Sequence, residues 1–175
     1  MPANDPTSIL ITEADICARV AEMGREIARN YPAGEELHLV AVLKGAFMFL
    51  SDLIRTMDRP VSVDFMAVSS YGKETTSSGE VRVLKDVDSR LEGRNVIIVE
   101  DIVDTGLTLA YLQEILHARS PKTLATACLL SKPSRRLVQV KVEHVGFTIE
   151  DRFVVGYGLD YAEKYRNLPY LAALD

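Results

Sequence analysis

The sequence predicts an α/β fold, an open, twisted, mainly parallel sheet flanked by helices. Short and nearly continuous apolar runs at Leu37–Leu43, Asn95–Val99 and Thr123–Leu130 alternate with helix-patterned stretches. That order produces parallel strands joined by crossover helices. The runs also lack the polar-apolar alternation of a half-exposed sheet, so their strands are expected to be covered on both faces. No linker, internal repeat or low-complexity tract divides the 175 residues, which reads as one domain spanning 1–175.

The elements follow in order. Thr12 with Asp15 three residues on has the form of a capping box, with Ile11 and Ile16 placed as a hydrophobic staple. Ile16, Val20, Met23 and Ile27 then recur at helical spacing, predicting a helix over 13–29 that Pro32 and Gly34 terminate. Leu37–Leu43 is a buried strand, and Ala46–Met57 a helix with Phe47, Leu50, Ile54 and Met57 on one face. Val61–Ser69 and Val81–Leu84 are strands. The polar stretch between them, 71–80, has nothing to anchor it to a core and is expected to be a mobile loop. Asn95–Val99 is a strand, Leu107–His117 a helix, Thr123–Leu130 a strand, and Val145–Ile149 and Phe153–Val155 are late short strands.

Composition narrows the function. A hydrophobic fraction of 47% with 26% charged residues excludes a disordered chain. Twenty Lys+Arg against 25 Asp+Glu leave a net charge of −5, which argues against a nucleic-acid partner held by phosphate contacts. Cys17 and Cys128 are too far apart in sequence for a local redox pair or zinc motif. The opening residues have neither a basic n-region nor an apolar h-region, and no apolar run is long enough to span a bilayer. A cytoplasmic protein with no membrane partner is the expectation. His38, His117 and His144 stand isolated, without metal-ligand spacing, and read as structural.

Open α/β sheets bind ligands beyond the carboxyl ends of their strands, so the residues following Leu43, Val99 and Leu130 matter most. After Val99 come Glu100, Asp101, Asp104, Thr105, Gly106 and Thr108, leading into a helix. Gly106 and the first helical turn offer backbone N–H groups, with two threonine hydroxyls beside them, a combination that binds phosphate. Glu100 and Asp101 would repel a phosphate and instead suit hydroxyl donors or a cation. Capping accounts for Asp104 or Thr105, but not for two further acids closing a buried strand. A ribose phosphate satisfies both halves.

The run Val99-Glu-Asp-Ile-Val-Asp-Thr-Gly-Leu-Thr108 resembles the signature of the type I phosphoribosyltransferases, which bind phosphoribosyl pyrophosphate (PRPP). Walker and Rossmann glycine patterns are absent. Phe153-Val-Val-Gly-Tyr-Gly-Leu-Asp160-Tyr, followed by Arg166, resembles the 6-oxopurine branch of that family in its bacterial hypoxanthine or hypoxanthine–guanine form. The likeness runs from about Leu10 to Leu171. It departs from animal members at Leu107, where they usually carry Lys.

The resemblance implies a core over about 35–150 and a small hood from about 1–12 and 151–175. It implies that Glu100, Asp101, Asp104, Thr105, Gly106 and Thr108 bind the ribose phosphate. Lys44, whose peptide bond to Leu43 is implied to be cis, would bind pyrophosphate with Gly45 and Arg166; by residue pattern alone, Lys44 and Gly45 read equally as an ordinary turn. Ser70 and Tyr71 would open a lid, although a plain surface hairpin suits the composition as well. Lys132 would donate to the purine 6-oxo group, Phe153 would stack on the ring, and Val154 and Asp160 would complete the purine site. Without the resemblance, Lys132 reads as part of a solvated basic turn with Arg135, Arg136 and Lys141.

Mg2+ is the implied cofactor, held by Glu100, Asp101 and Asp160, and Asp104 is the implied general base. The implied assembly is a homodimer or homotetramer. The implied reaction converts hypoxanthine or guanine and PRPP to IMP or GMP and pyrophosphate. A xanthine- or guanine-preferring enzyme is the alternative within the family. An RNA-binding attenuation regulator on the same fold is the alternative outside enzymology.

Overall fold

The structure, a computed structural model, describes residues 8–70 and 81–174. Six strands form the main sheet: β2 (Leu37–Leu43), β3 (Val61–Ser70), β4 (Val81–Lys85), β5 (Asn95–Val103), β6 (Thr123–Ser131) and β7 (His144–Thr148). Their spatial order is β4-β3-β2-β5-β6-β7, parallel throughout except for β4, which pairs antiparallel with β3. Three short strands, β1 (Ser8–Ile11), β8 (Phe153–Val155) and β9 (Leu171–Leu174), build a second antiparallel sheet from the two ends of the chain, in the order β1-β9-β8.

The helices are α1 (Glu13–Arg29), α2 (Phe47–Arg55) and α3 (Leu107–His117). Thr12 caps α1 as its sequence foretells, its hydroxyl oxygen accepting from the Asp15 amide at 3.2 Å. Alternation along the strands divides the core in two. Leu37, Leu39 and Ala41 of β2 and Ile97 and Val99 of β5 face α1 and α2. Val40, Val42, Val96 and Ile98 face Leu109, Leu112 and Leu116 of α3. Near-continuous apolar strands are therefore covered on both faces.

Two expectations are corrected. The buried stripe of α2 is Ala46, Phe49, Leu50, Leu53 and Met57, rotated from the expected one; Ile54 is only partly buried and Phe47, in the first turn, is 37% exposed. More consequentially, β5 does not stop at Val99. Glu100 pairs with Cys128, Ile102 with Leu130 and Val103 with Ser131, so the two acids lie inside the ladder and not in a loop after it. Pairing with β2 ends at Val99, and beyond it β6 alone carries the ladder while the acids border cavities.

The order in which the chain lays down the strands reverses between the parallel neighbours β2 and β5. From β2 the chain crosses by α2 to β3 on one side, and from β5 it crosses by α3 to β6 on the other. A crevice opens at such a reversal beyond the carboxyl ends of the strands. Among the described residues no helix is long and apolar enough to cross a membrane. Apart from the backbone of Ser70, which ends β3, the lid expected at Ser70, Tyr71 and the loop 71–80 lies outside the described residues.

Candidate active site

Two cavities meet at the end of β5. The first, of about 240 Å³, is lined by Glu100, Asp101, Asp104, Thr105, Gly106 and Thr108 together with neighbouring apolar side chains. The second, of about 260 Å³, is lined by Asp101, Ile102, Asp104, Lys132, Phe153, Val154, Leu159 and Asp160. Asp101, Ile102 and Asp104 belong to both. The chain thus gathers ten of the fifteen residues singled out in the sequence around one paired crevice; of the other five, Lys44, Gly45 and Arg166 stand on its flank, and Ser70 and Tyr71 are the expected lid residues.

The first cavity is closed by the start of α3. Gly106 takes φ +87°, a left-handed conformation that glycine adopts without strain, and so turns the chain from strand into helix. The first-turn amides of a helix have no partner within it and carry the positive end of its dipole. Arg136 steadies this turn from behind, donating to the carbonyls of Val103 and Asp104 and, at 2.8 Å, to the Ser131 hydroxyl.

Glu100 and Asp101 are the electrostatic centre. Burial, reinforced by the neighbouring Asp101 charge, pushes the Glu100 carboxyl well above its usual range. Burial also raises Asp101 to about 6, against the opposing pull of backbone N–H donors and Arg166. A raised carboxyl pKa means that the folded state resists ionisation. Its contribution is intact below the unfolded value of 3.8 and is lost as pH climbs through about 6. Asp101→Asn, which stays neutral, is therefore expected to gain stability relative to the parent as pH rises from 4 to 7; melting curves of both proteins across that range check it, and a constant difference would refute it.

The flank is built by close backbone approach. A methyl on Gly45 would fall 1.6 Å from Asp101 Oδ2, and one on Gly158 would fall 2.3 Å from the Gly45 carbonyl oxygen. The Leu43–Lys44 peptide is cis. Arg166 donates to the Gly158 carbonyl at 2.8 Å and pairs with Asp160 at 3.0 Å. Glu163 pairs with Lys44 at 3.0 Å and with Arg166 at 3.4 Å, so both expected pyrophosphate cations converge on one carboxylate.

In the second cavity Lys132 is only 6% exposed, and its ammonium pairs with Asp151 at 3.5 Å. Phe153 is 52% exposed and meets Tyr161 edge to face at 5.6 Å, leaving an aromatic surface at the cavity wall. Asp104 pairs with Arg135 at 3.3 Å. The basic turn considered from sequence is thus directed inward: Lys132, Arg135 and Arg136 engage groups of the site, while Lys141 pairs with Glu143. Asp151, Glu163 and the bracing role of Arg136 went unread in the sequence, since each looks there like an ordinary surface charge.

The start of α3, the buried Glu100 beside the partly buried Asp101, and an aromatic-walled cavity thus lie side by side. The Phosphoribosyl transferase domain family matches residues 9–162, and the chain belongs to the phosphoribosyltransferase family. It is 53% identical to the hypoxanthine phosphoribosyltransferase of Salmonella typhimurium over 93% of this chain and 92% of that protein. It is 49% identical to the hypoxanthine-guanine phosphoribosyltransferase of Bacillus subtilis over 99% of this chain and 96% of that one. A crystal structure of a hypoxanthine-guanine phosphoribosyltransferase from Bacillus anthracis superposes with a TM-score of 0.93 at 47% identity, covering 98% of this chain and all of the other.

Proposed function

We propose that this enzyme transfers the phosphoribosyl group of PRPP to N9 of hypoxanthine or guanine, forming IMP or GMP and releasing pyrophosphate. The observation that carries this reading is the pair of cavities sharing Asp101, Ile102 and Asp104, one suited to a ribose phosphate and the other to a flat base. The start of α3 holds the 5′-phosphate, and Glu100 and Asp101 accept from the ribose hydroxyls. Lys44, Gly45 and Arg166 receive the pyrophosphate. Arg166 Nε, buried without a hydrogen-bond partner among the described residues, supports a polar ligand on that side.

In the base cavity Phe153 stacks on the purine, Lys132 donates to its 6-oxo oxygen, and the Val154 backbone meets the opposite edge. Asp104 accepts the N7 proton as N9 forms its bond to C1′ and the bond from C1′ to the pyrophosphate oxygen breaks. Positioning of both reactants supplies much of the rate.

Mg2+ fits the acidic pair. Glu100 and Asp101 are adjacent oxygen donors whose burial disfavours their charge. Among the described residues no cluster of three ligating side chains forms a cage, and Mg2+ commonly takes only one or two carboxylates together with substrate phosphates. Asp160, already paired with Arg166, would join it through that ion pair's rearrangement. When bound, the ion would neutralise charge on the leaving pyrophosphate. A homodimer or homotetramer in the cytoplasm completes the proposal.

An end-point assay with PRPP and Mg2+, offering hypoxanthine, guanine, xanthine, adenine and uracil separately, tests it. Nucleotide from hypoxanthine or guanine, with little from adenine or uracil, is the expected result. Preference for xanthine would shift the assignment to the alternative branch, and no nucleotide from any base would overturn it.

A further inference from the structure

We infer that Asp151 and Arg135 are positioning residues that hold the purine's two hydrogen-bonding partners, Lys132 and Asp104, side by side. The inference rests on the proposed purine site and deepens it. Four side chains of alternating charge form a chain along the base cavity. Asp104 Oδ1 lies 3.3 Å from Arg135 Nε, Arg135 Nη1 lies 3.6 Å from Asp151 Oδ2, and Asp151 Oδ1 lies 3.5 Å from Lys132 Nζ. Both ends line the cavity, whereas the two middle members do not.

The arrangement matches a feature of the ligand. In a 6-oxopurine the N7 and 6-oxo groups sit next to each other on one edge, so the group that takes the N7 proton and the group that donates to the oxygen must themselves be neighbours. Asp104 begins the turn after β5, and Lys132 follows β6. The strands are adjacent, and the Lys132 amide donates to the Val103 carbonyl at 3.0 Å, which fixes the backbones. Backbone register alone does not orient the two side chains. Arg135 and Asp151 supply that restraint, each through an ion pair to the residue beside it.

Lys132 has most need of it. A buried ammonium is costly unless paired, and Asp151 is its ion-pair partner among the described residues. Asp151 lies between β7 and β8, two residues before Phe153, so the segment that brings the aromatic wall also brings the carboxylate that aims the lysine.

Steady-state kinetics on Asp151→Asn, Asp151→Glu and Lys132→Gln tests this, with melting temperatures measured in parallel. Asp151→Asn is expected to raise KM for hypoxanthine about threefold to tenfold, the range set by one partly exposed charge pair. KM for PRPP should remain as in the parent, and Asp151→Glu should restore most of the loss. An unchanged hypoxanthine KM in Asp151→Asn, with a raised one in Lys132→Gln, would overturn the positioning role and leave the purine site standing. A parental hypoxanthine KM in Lys132→Gln would overturn the purine site as well. Equal rises in both KM values with a lowered melting temperature would reduce Asp151 to a purely structural part.

Discussion

Asp104→Asn is expected to lower kcat by about 10²- to 10⁴-fold, the usual contribution of a positioned acid–base group. Asparagine keeps the shape of the side chain and can still hydrogen-bond, but it cannot take up the N7 proton. Asp104 lines both cavities, so it borders the sugar and the base at once, and among the residues shared by the two it is the carboxylate beyond the end of β5. Its partner Arg135 is about half exposed, and loss of that pair would change stability by no more than about 1 kcal/mol. A folded variant with a parental KM for PRPP and greatly reduced turnover is therefore the expected phenotype. Asp104→Glu should recover part of the rate. Undiminished turnover in Asp104→Asn would remove this residue from the chemistry.

The local signals in the chain are legible because they depend on neighbours in sequence. Thr12 and Asp15 mark the start of α1, and continuous apolar runs mark β2 and the first half of β5. The acids at 100 and 101 look like a strand end because charge usually lies outside a sheet. In the fold they remain paired to β6, since the adjoining cavities accommodate their side chains. β1 and β9 are each four residues long and stabilise one another across nearly the whole chain, a pairing that no local pattern announces.

The site divides in the same way. Glu100, Asp101, Asp104, Thr105 and Gly106 are contiguous enough to be read as one motif. Arg135 and Asp151 are not, because their meaning comes from facing Asp104 and Lys132 after β5, β6 and β7 have been laid side by side. The rotated stripe of α2 has a comparable origin. Phe47 is as hydrophobic as Phe49, and only the docking of the helix on the sheet decides which of them is buried.

Gly158→Ala is expected to abolish most activity and to destabilise the fold by about 2–4 kcal/mol, combining left-handed backbone strain with a steric clash. Gly158 has φ +100°, outside the range in which alanine is comfortable. Its added methyl would also lie 2.3 Å from the Gly45 carbonyl oxygen, a backbone atom that cannot rotate away as a side chain would. Relief requires the Gly156–Gly158 turn and the Lys44–Gly45 loop to separate. That movement would draw Gly45 away from Asp101 and disturb the Gly158 carbonyl that Arg166 holds at 2.8 Å. Gly93 separates the two effects. It has φ +71° with no atom within 4 Å of an added methyl, so Gly93→Ala carries strain without a clash. It should lose about 1 kcal/mol and keep its kinetics. Urea unfolding and steady-state rates on the two variants decide the matter: parental kinetics in Gly158→Ala would show that the contact between the turn and the loop does not position the pyrophosphate side of the site.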